Sequence, residues 1–192
     1  MKENIKIDEK IQARYSPRAY SPKNISKSEI DTLFEATRWA ASSRNEQPWR
    51  FIYATPDNAE HWDKLFDCLI DFNKEWVKTA PFLMMVLAQK TNPEKNTERK
   101  HVAYDIGLAM GNFTYQASAM GLYLRNMGGF SDEKARENFN IPEIYEPIVM
   151  VAVGYLGKES DLEKHLTVPK ANDRDRKTHD AIIYEGNWNK LK

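Results

Sequence analysis

Cysteine is nearly absent from this chain, because Cys68 is the single cysteine among its 192 residues. One thiol cannot form an internal disulfide, so nothing in the composition points to an oxidising compartment. Cys68 follows Leu65 and Phe66 in an apolar helical pattern, which favours a small core residue over a nucleophile. The first residues, 1–6, lack the apolar core of a signal peptide. A cytoplasmic location is therefore the expectation.

Net charge and long apolar runs are also missing. Lysine plus arginine equals aspartate plus glutamate at 28 each, so no net field draws the chain to nucleic acid or to an anionic membrane. The longest apolar runs, 81–88 and 147–153, are far shorter than the roughly 20 residues that span a bilayer. They are interpreted as buried strands. We expect neither nucleic acid nor a membrane as partner, and one domain, 1–192, with a sizeable core.

Several familiar site motifs are absent as well. No G-x-G-x-x-G follows a strand pattern, and there is no P-loop, nucleophile elbow or internal repeat. The histidines have no metal-ligand spacing, so no metal site is expected. They lie far apart along the chain at His61, His101, His165 and His179.

Spacing and capping patterns predict an alternation of helices and strands. Ser26 and Glu29 form a capping-box pattern, and Asp57 with Glu60 begins a second helix. The predicted helices cover about 27–41, a segment from Asp57 whose apolar positions continue to Asn73, about 101–121, and Ser131 to about Phe139. The predicted strands cover 50–54, 82–89, a short segment after Gly121, 148–154 and 181–184, and 90–100 is predicted to be an exposed loop.

A short basic turn lies near the amino terminus. Arg14, Ser16 and Arg18 are held by Pro17 and Pro22, so that a stiff turn can present several donors to one anion. From the residues alone, a solvated basic turn remains the alternative.

Small polar side chains are concentrated in the loop after the first long helix. Ser42, Ser43, Asn45 and Gln47 provide hydrogen-bonding groups within six residues, and Pro48 then imposes an extended exit. An ordinary polar loop is the alternative, since serine and asparagine favour loops for local backbone reasons.

Asn73 is a polar residue on an apolar helical stripe. Facing the core without a partner, its amide costs about 1 to 3 kcal/mol, so a partner is required. Either a ligand or the backbone at the end of the helix can provide one.

Two further segments carry potential ligand contacts. Gly128 and Gly129 allow close backbone approach to a flat ligand, although turns also use glycine. Near the end of the chain, Arg174 and Arg176 lie among mixed charges, and an exposed tail is the alternative.

Four of these motifs, in this order, resemble the FMN-dependent nitroreductase family. They are Arg-x-Ser-x-Arg-x-aromatic from Arg14, Ser-Ser-x-Asn-x-Gln-Pro-Trp-x-Phe from Ser42, the glycine pair, and the late Arg-x-Arg. The resemblance runs from Arg14 to about Trp188. It implies an α+β nitroreductase-like fold with a central, mostly antiparallel sheet flanked by helices. It also implies an intertwined homodimer with a long helix at the interface, where Asp105-x-Gly107-x-Ala109 resembles the corresponding helix, and a last edge strand that reaches across the dimer.

The resemblance implies the residues that bind FMN. Arg14, Ser16, Arg174 and Arg176 correspond to the phosphate and ribityl region, and Arg18 to the pyrimidine edge of the flavin. Asn73 corresponds to a ring contact, and the main chain near Gly128 to contacts with N5 and O4. The serine-rich loop would come from the other subunit. The complete implied set is Arg14, Tyr15, Ser16, Arg18, Ser42, Ser43, Asn45, Asn73, Met127, Gly128, Gly129, Arg174 and Arg176.

Two positions depart from the family pattern. Some relatives carry a lysine three residues after the asparagine, where this chain has Trp76. A second cation at the flavin edge is then in question, and a stacking or pocket-wall role is open to Trp76. Other relatives carry a glutamate or a His-Pro pair where this chain has Arg125, Asn126 and Gly128.

The implied activity is hydride transfer from NADH or NADPH through FMN to a small acceptor by a ping-pong mechanism. The acceptor would be a nitroaromatic, a quinone or an enone, and no protein residue is assigned as catalytic acid or base, since the cofactor carries the chemistry. Two alternatives remain. One is an FMN-binding relative with a specialised role in flavin sensing or storage, flavin cleavage or reductive dehalogenation. The other is an interaction module without cofactor.

Overall fold

The computed structural model describes residues 5–188, which form helices packed on both faces of one antiparallel sheet. The helices are α1 (Glu9–Ala13), α2 (Lys27–Arg38), α3 (Ala59–Cys68), α4 (Asp71–Val77), α5 (Val102–Ala119) and α6 (Asp132–Phe139). The strands are β1 (Trp49–Ala54), β2 (Phe82–Gln89), β3 (Thr91–Asn92), β4 (Thr97–Glu98), β5 (Tyr123–Met127) and β6 (Tyr145–Gly154). Short 3₁₀ turns occupy Ser43–Asn45, Glu159–Asp161, Lys164–Leu166, Ala171–Asp173 and His179–Ala181.

The main sheet has the strand order β1-β2-β6-β5, and every neighbouring pair is antiparallel. The predicted mostly antiparallel sheet is therefore confirmed. β2 is buried along its whole length, as its continuous apolar run predicts. Pro147 lies in the central strand β6, where its missing N–H would interrupt a regular ladder. The register shifts between Val86 and Leu87 at this point, and this irregularity accommodates the proline.

Alternate residues of β2 supply two separate hydrophobic clusters. Phe82, Met84 and Val86 pack with α2 and α5 on one face of the sheet. Leu83 and Met85 pack with residues of α3, α4 and α6 on the other. Period-two alternation thus builds two cores from one strand, because successive side chains point to opposite faces.

The edge strand β5 lies beside the arginine-containing turn. The ring of Tyr15 packs edge-on against that of Tyr123, with 5.3 Å between their centroids. Arg125 donates through Nη1 to the carbonyl oxygen of Ser16 at 2.5 Å. These contacts join residues 14–18 to β5, although more than a hundred positions separate them in sequence.

α5 is the longest helix, with 18 residues, and its predicted apolar face is buried at Ile106, Met110, Phe113 and Ala117. Gly107 and Gly111 lie on its exposed side, and a Cβ at either glycine would meet no atom within 4 Å. No helix within residues 5–188 combines the length and the apolar character needed to cross a membrane. The cytoplasmic location stays a prediction.

The helix predicted from Asp57 to Asn73 is two helices. Leu69 is extended, with ψ of 150°, and it pairs with Phe130 in an isolated bridge, so α3 ends at Cys68. Asn73 lies on α4 instead. The cap also differs from the prediction, because Asn58, and not Asp57, accepts the N–H of His61. The first long helix, predicted to end near residue 41, ends at Arg38.

Two other segments correct the predictions. The predicted loop 90–100 contains the β3–β4 hairpin, with Asn96 at a positive φ of 48°. The predicted edge strand 181–184 is wrong for the described chain. Its first residue closes a 3₁₀ turn, and Ile182 and Ile183 are 55% and 61% exposed. A strand needs a neighbouring strand to pair with, and none meets these residues within 5–188.

Gly157→Ala is expected to destabilise the chain by about 2 to 3 kcal/mol, near the upper end for overpacking. A Cβ at Gly157 would lie 2.6 Å from the backbone carbon and oxygen of Tyr20, and backbone atoms cannot move aside cheaply. Chemical denaturation measures the change. Gly128→Ala is the matched control, since a Cβ there meets nothing within 4 Å. Equal stability of the two variants would contradict this packing argument.

Candidate functional site

A cleft of about 500 Å³ lies between α1, α5 and β5. Its walls combine two glycines of α5 with apolar residues and a guanidinium group. Such a mixture of a flat apolar surface and a few polar groups is typical of small-molecule sites. The lining residues are Lys10, Ile11, Arg14, Gly107, Met110, Gly111, Thr114, Tyr115, Leu124 and Asn126.

Three arginines from the two ends of the chain lie close together, and one of them, Arg14, lines this cleft. Arg14 donates through Nη1 to Ser16 Oγ at 3.3 Å, and Arg174 donates through Nη2 to the carbonyl oxygen of Arg14. Burial lowers the pKa of Arg14, and the charges of Arg174 and Arg176 lower it further. The structure thus brings together two motifs that are 160 residues apart.

These arginines have no acidic partner in the described part of the chain. Within residues 5–188, neither Arg14, Arg174 nor Arg176 has a carboxylate oxygen within 4 Å. Among the same residues, the buried Nε of Arg174 finds no hydrogen-bond partner. Clustered guanidinium groups that repel one another and lack a counter-ion have the donor set of a phosphate site.

Arg18 and Arg125 form a second basic pair near Ser16. Arg18 donates through Nη1 to the carbonyl oxygen of Leu166 at 3.1 Å, and its guanidinium carbon lies 4.8 Å from the centroid of the Phe72 ring. Arg125 contacts the Ser16 carbonyl and lies 5.7 Å from the centroid of the Trp76 ring. Burial lowers the pKa of both arginines, and the charge of Arg18 lowers that of Arg125 further.

Asn73 is joined to the glycine pair. Its amide Nδ2 donates to the carbonyl oxygen of Gly129 at 2.9 Å, which gives this buried side chain the partner that its position requires. A Cβ at Gly129 would lie 2.5 Å from Ile70 Cδ1 and 3.1 Å from Asn73 Nδ2. A Cβ at Gly129 would thus displace the side chains of Ile70 and Asn73, whereas Gly128 faces open space.

Tyr15 and Met127 are buried below this surface. Their side chains are only 5% and 3% exposed, so they support the surrounding backbone. Burial, followed by the nearby Glu159 and Tyr123, raises the pKa of Tyr15 to about 12. The tyrosine is consequently neutral at physiological pH.

The serine-rich loop has a different location. Ser43 lines a separate cavity of about 260 Å³ together with Asp105, and within one chain the structure does not bring it to the arginine cluster. The backbone N–H of Ser43 donates to both carboxylate oxygens of Asp105, at 3.1 and 3.2 Å. Gln47 N–H donates to Ser42 Oγ at 3.0 Å.

This loop is locally strained. Arg44, Asn45 and Gln47 have φ values of 54°, 56° and 47°, a region that residues other than glycine rarely adopt. Each such residue costs on the order of 1 kcal/mol or more, and surrounding contacts have to fix it. The buried carboxylate of Asp105 provides such a contact.

Several residues of this surface were not among the predicted site residues. Lys10, Asn126 and Arg125 contact the cleft or the basic pair, and Asp105 positions the serine-rich loop. Asp105 could be noticed in the sequence, because a carboxylate in the first turn of a helix is stabilised by the helix dipole. Its contact with Ser43 had no signal in the sequence. The contacts of Lys10, Asn126 and Arg125 depend on the tertiary structure, so nothing in the sequence signalled them.

The chain is similar to several known oxidoreductases. The major NAD(P)H-flavin oxidoreductase of Aliivibrio fischeri is 25% identical, over 90% of this chain and 95% of that protein. YdgI of Bacillus subtilis is 27% identical, over 78% and 88%. A solved structure described as an oxidoreductase containing FMN is 27% identical, with a TM-score of 0.89 over 98% of this chain and 96% of that one.

The family itself is identified by a profile match across most of the chain. The Nitroreductase family profile matches residues 11–155, which include the basic turn, the serine-rich loop, α5 and the glycine pair. The helix-flanked antiparallel sheet agrees with the solved structure named above. The chain belongs to the nitroreductase family.

Proposed function

We propose that the chain, 1–192 as one domain, is an FMN-dependent oxidoreductase that transfers hydride from NADH or NADPH to a small electron acceptor. Two relatives support this proposal by their names, one an NAD(P)H-flavin oxidoreductase and one an oxidoreductase containing FMN. In the proposed ping-pong order, the nicotinamide leaves before the acceptor binds, so that one site serves both substrates.

The observation that carries the proposal is the uncompensated arginine cluster. Arg14, Arg174 and Arg176 approach one another without a carboxylate among residues 5–188, and the buried Arg174 Nε lacks an acceptor there. A phosphate monoester supplies both the negative charge and the acceptor oxygens that this arrangement lacks. The residues therefore fit the phosphate of FMN.

The remaining residues fit the rest of the cofactor. Ser16 provides a hydroxyl beside Arg14, Arg18 a cation farther along the turn, and Asn73 a fixed amide next to Gly129. The backbone at Gly128 borders open space, since a Cβ there would meet no atom within 4 Å. When bound, the flavin ring supplies the hydride chemistry, and the chain's own part is to bind, orient and electrostatically tune it.

We further propose that the functional unit is a homodimer. One side of α5 presents Tyr104, Gly107, Gly111 and Tyr115 at helical spacing, and the two tyrosines are 70% and 47% exposed. Small residues between exposed aromatic ones allow a second backbone to approach closely. A dimer would also give the serine-rich loop access to the arginine cluster of its partner.

Gel filtration with light scattering tests the dimer. We expect about 45 kDa, twice the 22.3 kDa of one chain. A stable monomer that still binds FMN would contradict the contribution from a second subunit.

The acceptor class follows from the shape of the cleft. In a single chain it is partly apolar and presents no acidic side chain within the described lining, and in the proposed dimer the second subunit would complete its wall beside Gly107, Gly111 and Tyr115. Flat electrophiles that stack on a ring fit such a site, and nitroaromatics, quinones and enones are the proposed acceptors.

An absorption spectrum of the purified protein, followed by anaerobic addition of NADH or NADPH, tests the activity. We expect a flavin spectrum that bleaches within seconds with at least one donor and returns when an acceptor is added. Bound flavin that neither donor bleaches would favour a flavin-binding protein with a specialised role. Failure to retain or take up FMN would contradict the proposed function.

A further inference from the structure

A second group of cations surrounds the cavity of about 260 Å³ beside the serine-rich loop. The walls of this cavity come from the loop, the β3–β4 hairpin and the start of α5. They share no lining residue with the cleft at Arg14. Four cationic side chains line the cavity, at Arg44, Lys95, Arg99 and Lys100.

Three carboxylates also line the cavity, but two of them already have partners. Glu46 accepts hydrogen bonds from Arg99 Nη1 at 2.6 Å and from Asn92 Nδ2 at 3.3 Å, one on each oxygen. Both oxygens of Asp105 accept a backbone N–H of the serine-rich loop. Glu98 is the one of the three that forms neither kind of contact with a cation within residues 5–188.

Three of the four cations have no acidic partner. Within residues 5–188, no carboxylate oxygen lies within 4 Å of a side-chain nitrogen of Arg44, Lys95 or Lys100. Three unpaired cations therefore line the same small opening as one unpaired carboxylate. Such an excess of one charge favours the binding of an anion, which offsets the repulsion between the cations.

Arg99 adds a buried donor without a partner. Its side chain is only 9% exposed, and its Nη1 and Nη2 donate to Glu46 and Gln89. Its buried Nε, however, finds no hydrogen-bond partner among residues 5–188. Because a buried donor without an acceptor is unfavourable, an acceptor that reaches this side chain from the cavity would stabilise it.

The amino-terminal end of α5 lies at the same cavity. His101, its N-cap residue, lines the cavity and makes no side-chain cap hydrogen bond. The start of an 18-residue helix attracts anions through its free N–H groups and its dipole, although Asp105 in the first turn offsets part of this field. Cations, an unsatisfied donor and a helix start thus meet at one opening.

We propose that this cavity binds a phosphate monoester other than the phosphate of FMN. A dianionic phosphate supplies negative charge to Arg44, Lys95 and Lys100, together with several acceptor oxygens. Two sources offer this chemistry, the 2′-phosphate that distinguishes NADPH from NADH and a free phosphate ester.

The location of the cavity favours NADPH as the source. Ser43 lines the cavity and is also one of the residues predicted to contact FMN from the second subunit. In the proposed dimer, the cavity would therefore lie beside the flavin of the partner. This link to NADPH rests on the proposed function, whereas the phosphate site itself does not.

Phosphorus NMR of the FMN-loaded protein tests the site, because FMN and an added phosphate give separate signals. The probes are NADP⁺, NAD⁺ and inorganic phosphate, and NADP⁺ differs from NAD⁺ by the 2′-phosphate alone. We expect NADP⁺ to bind at least about fivefold more tightly than NAD⁺ at low salt, where exposed charges are least screened. Inorganic phosphate should compete with NADP⁺.

Three variants show whether the cavity holds the phosphate. Lys95→Gln combined with Lys100→Gln should weaken the binding of NADP⁺ and of inorganic phosphate about tenfold, since each exposed ion pair contributes a factor of about three. Glu98→Gln removes the unpaired carboxylate and should strengthen the same binding about threefold. Lys78→Gln combined with Lys158→Gln is the matched control, because it removes two exposed lysines that also lack a carboxylate within 4 Å among residues 5–188. The control should leave both affinities unchanged.

The pattern of losses also identifies the source of the phosphate. In the variant of Lys95 and Lys100, weaker binding of NADP⁺ with unchanged binding of NAD⁺ would assign the site to the 2′-phosphate of NADPH. Weaker binding of inorganic phosphate alone would assign it to a free phosphate ester.

Unchanged affinities in the variant of Lys95 and Lys100 would overturn the inference, as would an equal loss in the control or no saturable binding of any phosphate. Wild-type protein that takes up no FMN would instead contradict the proposed function. Titration of that protein and its lysine variants with inorganic phosphate would still test the cavity, so that the two failures are distinguishable.

Discussion

Arg14→Ala is expected to weaken FMN binding about a hundredfold without making the ligand-free chain less stable. The variant loses charge-assisted hydrogen bonds to the phosphate, which contribute about 2 to 3 kcal/mol, and each 1.4 kcal/mol is tenfold in affinity. In the ligand-free chain, however, burial and the charges of Arg174 and Arg176 all disfavour the Arg14 cation, as its lowered pKa records. Removing that cation relieves repulsion, and the substitution eliminates only a weak hydrogen bond to Ser16 at 3.3 Å.

Fluorescence quenching of FMN gives the affinity, and thermal unfolding of the apoprotein gives the stability. Arg38→Ala is the control, because Arg38 forms an exposed ion pair with Glu35 at 2.7 Å, and such pairs contribute little. It should change neither quantity. Undiminished FMN affinity in Arg14→Ala, and in the double variant Arg14→Ala with Arg176→Ala, would show that the phosphate lies elsewhere.

Local patterns predicted much of the secondary structure because these segments carry their own signals. β2 and α6 begin and end where the apolar run and the Ser131 cap place them. The capping box of Ser26 and Glu29 is present with both of its hydrogen bonds. These features need only neighbouring residues, so the sequence contains them in full.

The errors occur where a distant partner decides the local backbone. Leu69 continues the apolar stripe of α3, yet a bridge to Phe130 holds it extended and starts a new helix. The tail around Ile182 has strand-like composition, but a strand is defined by its neighbour, and none pairs with this segment within 5–188. Periodicity shows which residues are apolar, but it does not show which distant residues they will contact.

The functional site shows the same difference between features set by neighbouring residues and features set by distant ones. The structure brings Arg174 and Arg176 close to Arg14, and the roles of the three arginines toward FMN stay predictions. The charge environment of Arg125 had no sequence signal, because it depends on Ser16 and Trp76, which are distant in sequence. The contact between Ser43 and Asp105 spans 62 positions and was equally invisible.

Asp105 links the fold to the proposed two-subunit site. Its buried carboxylate accepts the Ser43 N–H and thereby fixes a loop that contains three residues at positive φ. Asp105→Ala removes the acceptor, and breaking a hydrogen bond to a charged group costs about 1.5 to 3 kcal/mol. The loop should then relax from its strained conformation, and we expect about a tenfold or greater loss of FMN affinity if Ser42, Ser43 and Asn45 contact the cofactor.

Mixed dimers decide which subunit provides that loop. If each site takes Arg14 from one chain and the loop from the other, a heterodimer of Arg14→Ala with Asp105→Ala contains one site with both defects and one intact site. Heterodimers purified with two different affinity tags should therefore bind one FMN with wild-type affinity, although neither homodimer does.

The matched control carries both substitutions on one chain paired with a wild-type chain. There every site has one defect, and no tight binding should remain. If the loop instead serves its own chain, the two heterodimers exchange their results, because separate substitutions then damage both sites and combined ones damage only one. The reciprocal pair thus tests the subunit origin of the site by counting bound flavin, whichever acceptor the enzyme reduces.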